Sequence, residues 1–250
     1  MRLKGKVAII TGAGTGIGKA SALRFAQEGA KVAVTGRRPE PLEDVVKQIA
    51  DTGGEALAIP SDVGIVEDTK RIVSETVKRF GALHILYNNA ATVDLDRSIQ
   101  DMTVEEWDSC QNATLRSVFL LSKWAAPEMR KAGGGVIINT ATVGAIMAWG
   151  NGGAYCSAKG GVLQLTKVLA IEYAPWNIRV NTISPGAILT PNLERVLQRP
   201  GAYEKLCAKS VYNRVGKPEE IAAAAVFLAS DDASFVAGAN LMVDGGYLTI

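Results

Sequence analysis

Two residues in this chain have the types and spacing for proton transfer: Tyr155 and Lys159, in the run Tyr155-Cys156-Ser157-Ala158-Lys159. On a helix, positions i and i+4 share one face a turn apart. An ammonium beside a phenol favours the phenolate. It draws the tyrosine pKa down from about 10 towards the range where a proton can pass to or from a substrate oxygen. General acid–base catalysis at a carbonyl or an alcohol needs such a group. On spacing alone a solvated helix face describes the pair better, so the elements that carry it must decide its meaning.

Those elements alternate strictly. Short apolar runs predict strands at residues 7–11, 31–35, 56–59, 83–87, 136–139, 178–183 and 241–243. Helical periodicity fills residues 17–28, 42–50, 67–79, 154–174 and 218–230, and Thr103-Val104-Glu105-Glu106 has the capping-box spacing that opens a long helix to residue 131. Residues 192–212 read as a mixed, helical lid or flap. Strands alternating with helices of this length run parallel and are joined by right-handed crossovers. The strands lack polar alternation, as expected where helices cover both faces. The prediction is a single-domain α/β chain over 1–250, a Rossmann-like doubly wound parallel sheet, with a substrate lid at 187–214.

Composition narrows the function. The 250 residues carry a net charge of +2, which gives no electrostatic case for nucleic acid or an anionic membrane. Cys110, Cys156 and Cys207 are odd in number and widely separated, so free thiols in a reducing compartment are expected, with no metal site. The one histidine, His84, lies in an apolar run and reads as structural, which leaves no partner for a Ser/His/Asp triad. Residues 1–6 are too short and charged for a signal peptide, and no apolar run reaches transmembrane length; a cytoplasmic protein is expected.

Between the first strand and first helix lies Thr11-Gly12-Ala13-Gly14-Thr15-Gly16-Ile17-Gly18. Its glycines permit a tight turn and close backbone approach, and the helix N-terminus offers free N–H groups to a pyrophosphate. In this position the loop points to a dinucleotide. The second strand then ends in Gly36-Arg37-Arg38, where an acidic residue would have bonded the ribose hydroxyls of NAD. Gly36 leaves room, and Arg37, ahead of Arg38, offers charge to a 2′-phosphate, so NADP(H) is favoured over NAD(H); two solvated arginines at a strand end are the plainer account.

With these residues assembled, the chain resembles the short-chain dehydrogenase/reductase family in its one-domain form, nearly end to end. Thr11 to Gly18 is similar to the family's cofactor loop, with Gly12, Thr15, Gly16, Ile17 and Gly18 as the contacting positions. Asp62-Val63 looks like its adenine-contacting pair, and Asn88-Asn89-Ala90 like the motif ending the fourth strand. Tyr155 and Lys159 match YxxxK; Pro185-Gly186 with Ile188 and Thr190 looks like the nicotinamide-contacting segment, and Val243-Asp244-Gly245-Gly246 like the C-terminal signature.

The resemblance implies hydride transfer between the nicotinamide and a substrate carbon, a ketoreductase or alcohol dehydrogenase chemistry. Tyr155 would exchange the oxygen's proton, and Lys159 would lower the Tyr155 pKa and hold the nicotinamide ribose. It also implies a homo-oligomer, tetramer or dimer, packed through the long helices. Three positions depart from the family pattern. Thr142 stands at the catalytic serine; it keeps a hydroxyl but adds a methyl group and a stiff χ1. Thr114 stands at the asparagine that helps place a relay water. Asn112, roughly 200° round an α-helix from it, cannot simply substitute. Ala91 replaces a glycine, a minor restriction.

A second reading follows from the two threonines: an NADP(H)-binding protein with weak or no catalysis, acting as a sensor or partner subunit. The resemblance places the substrate pocket at residues 91–96, 143–153 and 187–212, with Val93, Met147, Trp149 and Leu193 making it apolar. Arg195, Arg199, Lys205, Lys209 and Arg214 outnumber Glu194 and Glu204 there, an excess suited either to an acyl-CoA or acyl-carrier substrate or to a solvated lid.

Overall fold

The computed structural model describes residues 1–93 and 97–249. Seven strands form one parallel sheet: β1 (Val7–Thr11), β2 (Lys31–Gly36), β3 (Ala56–Pro60), β4 (Ile85–Asn88), β5 (Gly135–Thr140), β6 (Ile178–Pro185) and β7 (Asn240–Val243), in the order β3-β2-β1-β4-β5-β6-β7. The order reverses between β1 and β4, so the connections leave to opposite sides there and open a crevice at the strand C-termini. The predicted strands are all present, although β4 starts two residues later than expected and β6 runs two further, to Pro185.

Helices α1 (Gly16–Gln27), α2 (Pro39–Asp51) and α9 (Pro218–Ala229) cover one face. Phe25, Leu42, Ile49 and Val226 pack there against Ile10, Val34, Tyr87 and Ile138, and the Phe25 and Tyr87 rings stack at 6.3 Å. Helices α3 (Val66–Phe80), α5 (Ser117–Lys131) and α6 (Gly153–Tyr173) cover the other, where Ile72, Leu121, Met129 and Leu169 meet Ile9, Leu86, Ile137 and Val180. Helix α3 shows why such segments fold. Its buried residues Thr69, Ile72, Val73 and Thr76 recur at i, i+3, i+4 and i+7. Glu67 and Asp68 sit in its first turn, Lys78 and Arg79 in its last, and Gly81 closes it with φ of 83°.

The long helix departs from a plain α-helix. Thr103 and Glu106 cap α4 (Val104–Gln111) reciprocally, as the spacing predicts. Between α4 and α5, Asn112–Arg116 form a π-turn in which the Ser117 N–H reaches the Asn112 carbonyl. An i→i+5 turn holds one extra residue and shifts the phase of everything upstream.

His84 is structural: its Nδ1 accepts from Val7 N–H at 3.0 Å, and burial holds its pKa below the ordinary value, so it stays neutral and able to accept. All three cysteines are free thiols. Among the described residues no helix is long and apolar enough to cross a membrane, and no group of three His, Cys, Asp or Glu side chains is arranged to hold a metal.

Candidate active site

Glycine at the first turn is a steric requirement. A Cβ at Gly18 would lie 2.2 Å from the Gly12 carbonyl oxygen and 2.8 Å from Asn89 Nδ2. Gly12 and Gly16 have φ of 63° and 52°, and a Cβ on either would come within 3.0 Å of Ala90 or of Thr190. The loop is tied to β4 by Asn89, whose N–H donates to Thr11 Oγ1 at 2.9 Å and whose Nδ2 donates to Thr11 O at 3.0 Å. Gly18→Ala is therefore expected to destabilise the fold by about 1–3 kcal/mol through overpacking and to weaken dinucleotide binding at least about tenfold. Gly160→Ala makes the contrast: its Cβ meets nothing closer than 3.8 Å on a helix, so it should stabilise by about 0.5–1 kcal/mol. Thermal melts and cofactor titrations of both variants check this.

A cavity of about 1180 Å³ runs across the strand C-termini. It exceeds the ~300–1,000 Å³ usual for small-molecule sites, leaving room for a dinucleotide and a small substrate. Gly12, Thr15, Gly16 and Ile17 line its middle, Arg37, Arg38, Asp62 and Val63 one end, Asn89 and Ala90 its floor, and Pro185, Gly186, Ile188 and Thr190 its far wall. Gly18 lies beneath the loop, outside the lining. Arg37 and Arg38 are exposed, and among the described residues neither has an ion-pair partner. Asp62 accepts from Gly64 N–H at 2.9 Å, which turns the chain along the cavity. Glycines whose Cβ atoms would collide, a helix N-terminus and two unpaired cations suit a phosphorylated dinucleotide.

Tyr155, Lys159 and Thr142 meet at the opposite end. Helix α6 carries the first two, and a buried polar chain locks it to the sheet. Asn88 Nδ2 donates to Asn139 Oδ1 (2.8 Å), Asn139 Nδ2 to Thr166 Oγ1 (2.9 Å), and Thr182 Oγ1 to the same Thr166 oxygen (2.8 Å). Lys159 is 1% exposed, and its Nζ donates to the Thr140 carbonyl at 2.5 Å while lying 5.7 Å from the Tyr155 ring centroid. Burial lowers its pKa to about 8.

The surroundings of the tyrosine favour its acid form. Burial pushes its phenol above the ordinary range, the nearby Cys110 and Cys156 thiols add in the same direction, and a hydrogen bond with Thr142 opposes them. Lys159 lies 5.7 Å from the ring centroid and donates to the Thr140 carbonyl, and burial remains the dominant influence on the phenol. In the protein by itself Tyr155 is a protonated phenol, ready to donate.

Thr114 stands apart from this group. It is fully buried and lies off the cavity, its Oγ1 exchanging hydrogen bonds with the Thr92 N–H (3.3 Å) and carbonyl (3.4 Å). The π-turn instead directs Ser109 and Asn112 to the cavity, Asn112 with its Cβ 3.9 Å from a Cβ built on Gly64. Asn112 thus lies beside the Asp62 to Gly64 turn and does not take over the Thr114 position. Val93, Trp149 and Leu193 line the cavity as expected, but Met147 does not. The predicted pocket residues 94–96 lie outside the described residues. Leu206 lines the cavity from within the predicted 187–212 segment, whereas Tyr247 lies outside every predicted pocket segment; the aromatic residue directly after Asp244-Gly245-Gly246 was the available signal for it. A Cβ at Gly186 would meet the Asp244 carbonyl at 2.7 Å, which is why these distant glycine motifs belong together.

A family model described as "Enoyl-(Acyl carrier protein) reductase" matches residues 12–248. Cyclohexanol dehydrogenase of Acinetobacter sp. (strain SE19) is 39% identical to this chain, covering 98% of it and 96% of that protein. The chain belongs to the short-chain dehydrogenase/reductase family. Another member, the 3-oxoacyl-[acyl-carrier-protein] reductase of Thermotoga maritima, is 39% identical over 98% of this chain and 99% of its own. Among solved short-chain dehydrogenase/reductase structures, levodione reductase superposes with a TM-score of 0.93 at 37% identity, covering 98% of both chains. A member from Mycobacterium marinum gives 0.92 at 38%, covering 98% and 96%. This chain is accordingly an oxidoreductase of a family that uses NAD(P) and acts on alcohols or ketones.

Proposed function

We propose that this short-chain dehydrogenase/reductase is an NADP(H)-dependent reductase or dehydrogenase of a modest-sized carbonyl or secondary alcohol, with Tyr155 as general acid/base. The observation that carries the reading is the opposition of two ends of one cavity: unpaired Arg37 and Arg38 at one, Tyr155, Thr142 and Lys159 at the other. The nicotinamide, when bound, supplies or accepts the hydride. Tyr155 delivers the proton to the substrate oxygen, and Thr142, whose hydroxyl also accepts from Gly144 N–H at 3.3 Å, orients that oxygen. Lys159 holds positive charge beneath the pair. Relatives named for cyclohexanol and levodione favour a compact ketone or alcohol, as do the walls made by Val93, Trp149, Leu193 and Leu206.

Residues 187–214 serve as the lid. Helices α7 (Pro191–Leu197) and α8 (Ala202–Cys207) are anchored at both ends: Leu189 N–H and Gly216 N–H bond across, Val211 N–H reaches the Gly245 carbonyl, and Arg214 grips Glu220 through both oxygens at 2.6 and 2.9 Å. Closure over the cavity would exclude water. Exposed Val104, Phe119, Val168 and Ile171 support a homo-oligomer through the long helices, and the free cysteines a cytoplasmic setting.

The test is a comparison of NADPH with NADH against ketones, sugars and 3-oxoacyl thioesters. Arg37→Ala is expected to weaken NADPH binding about tenfold, the value of a charge-assisted hydrogen bond, and to leave NADH within about twofold. Equal losses for both cofactors would overturn the assignment of Arg37. The second reading, a cofactor-binding protein with weak catalysis, draws on Thr114, whose hydroxyl is committed to Thr92. Tight NADPH binding without oxidation across the whole panel would favour it.

A further inference from the structure

Around the catalytic end the cavity is walled by apolar side chains, and its charges are few. Asp62, Arg37 and Arg38 lie at the nucleotide end, and Lys159 is buried with its Nζ donating to the Thr140 carbonyl. Among the described lining residues at the substrate end, the remaining charged side chain is Lys209. Of the five basic lid residues, Arg195, Arg199, Lys205 and Arg214 do not line the cavity, and Arg214 is neutralised by Glu220. Lys209 has no carboxylate against it among the described residues; its Nζ lies 5.2 Å from the centroid of the Tyr247 ring. That ring also lines the cavity, and its own segment is held by the Asp244 carboxylate, which accepts from Gly246 N–H (2.9 Å) and Leu248 N–H (3.2 Å). A cation over an aromatic face keeps its charge and restricts its motion. Two elements far apart in sequence thus present one positive charge at the mouth of an apolar pocket.

We infer that Lys209, positioned by Tyr247, selects substrates that carry a carboxylate away from the reacting carbonyl: keto acids or hydroxy acids over their neutral counterparts. This rests on the proposed hydride transfer and adds to it a substrate class. An acidic substituent would gain the pairing that Lys209 lacks, whereas a neutral one would gain nothing from it and an amine would be repelled.

The experiment compares levulinate with its methyl ester as NADPH-dependent substrates. Wild type is expected to favour the acid in kcat/KM by about fivefold, the upper range for a solvent-accessible ion pair, and the preference should shrink with added salt. Lys209→Met should bring the acid-to-ester ratio to about one, Lys209→Glu below one, and Lys209→Arg should keep it. A wild-type ratio near one, or a ratio unchanged in Lys209→Met, would overturn the inference. Calorimetric binding of cyclohexanecarboxylate against cyclohexanecarboxamide to the NADPH-loaded protein separates this from the reading beneath it. If no carbonyl is reduced yet the carboxylate binds more tightly through Lys209, hydride transfer fails and the anion site stands. If the carboxylate binds no better than the amide, the anion site fails whatever the turnover.

Discussion

Tyr155→Phe is expected to lower kcat/KM for carbonyl reduction by about three orders of magnitude, within the 10²–10⁴ attributed to a positioned proton donor, while NADPH binding changes by less than about twofold. The phenyl ring fills the same space on α6 and leaves the glycine loop and the arginines untouched, so only the proton is removed. The pH behaviour of the wild type follows from the direction of the phenol's shift. Burial holds it above its ordinary pKa, so the acid form persists from neutral into weakly alkaline solution. Reduction, which consumes the acid form, should be flat over that range. Alcohol oxidation, which needs the phenolate, should rise with pH throughout. Stopped-flow reduction and oxidation across pH, with and without the substitution, test both statements. Turnover of Tyr155→Phe within about threefold of wild type would sink the mechanism.

Lys159→Met should produce the opposite pair of effects on stability and activity. The ammonium is 1% exposed with a pKa lowered from 10.5 to about 8. At neutral pH that shift costs folding roughly 3 kcal/mol. Methionine removes the charge at similar length and leaves the Thr140 carbonyl without its donor, a loss of about 1 kcal/mol. The net gain of about 1–2 kcal/mol corresponds to a Tm higher by roughly 3–6 °C for a chain of this size, together with a loss of catalysis of about 10²-fold or more. The pH signature is specific. Because the folded pKa lies below the unfolded one, the unfolded chain binds more protons between about 8 and 10.5, and stability rises with pH across that window. The difference in Tm between variant and wild type should therefore narrow from pH 8 upward. A variant less stable than wild type at pH 7 would contradict the account. A stable fold carrying an unfavourable buried charge fits a residue retained for chemistry.

Much of this was legible in the sequence because the signals were local. Glycine spacing before α1, strict strand–helix alternation and the capping box at Thr103 each depend on neighbours a few positions away, and they placed the sheet and the helices that flank it. The losses came where distant residues decide. The i→i+5 turn at Asn112–Arg116 has no residue signature, yet it decides that Asn112 and Ser109 face the cavity while Thr114 faces Thr92. Spacing shows that Lys159 is near Tyr155 but not that both are buried, which raises the phenol's pKa and lowers the ammonium's. Asn88, Asn139 and Thr166 look like polar interruptions in apolar runs until contacts across 51 and 27 positions join them. Tyr247 lines the cavity from a segment that packs against the distant Gly186.

The π-turn has an evolutionary corollary. A helix normally resists insertions and deletions, since each residue added or lost rotates one end against the other by about 100°. Here the surplus residue is already stored in a single wide turn. Deleting one position within it would restore ordinary α-geometry while α4 and α5 each keep the face they already present. The helix beside the cavity can therefore lose a residue without rotating one end against the other, a tolerance of length that a regular α-helix lacks.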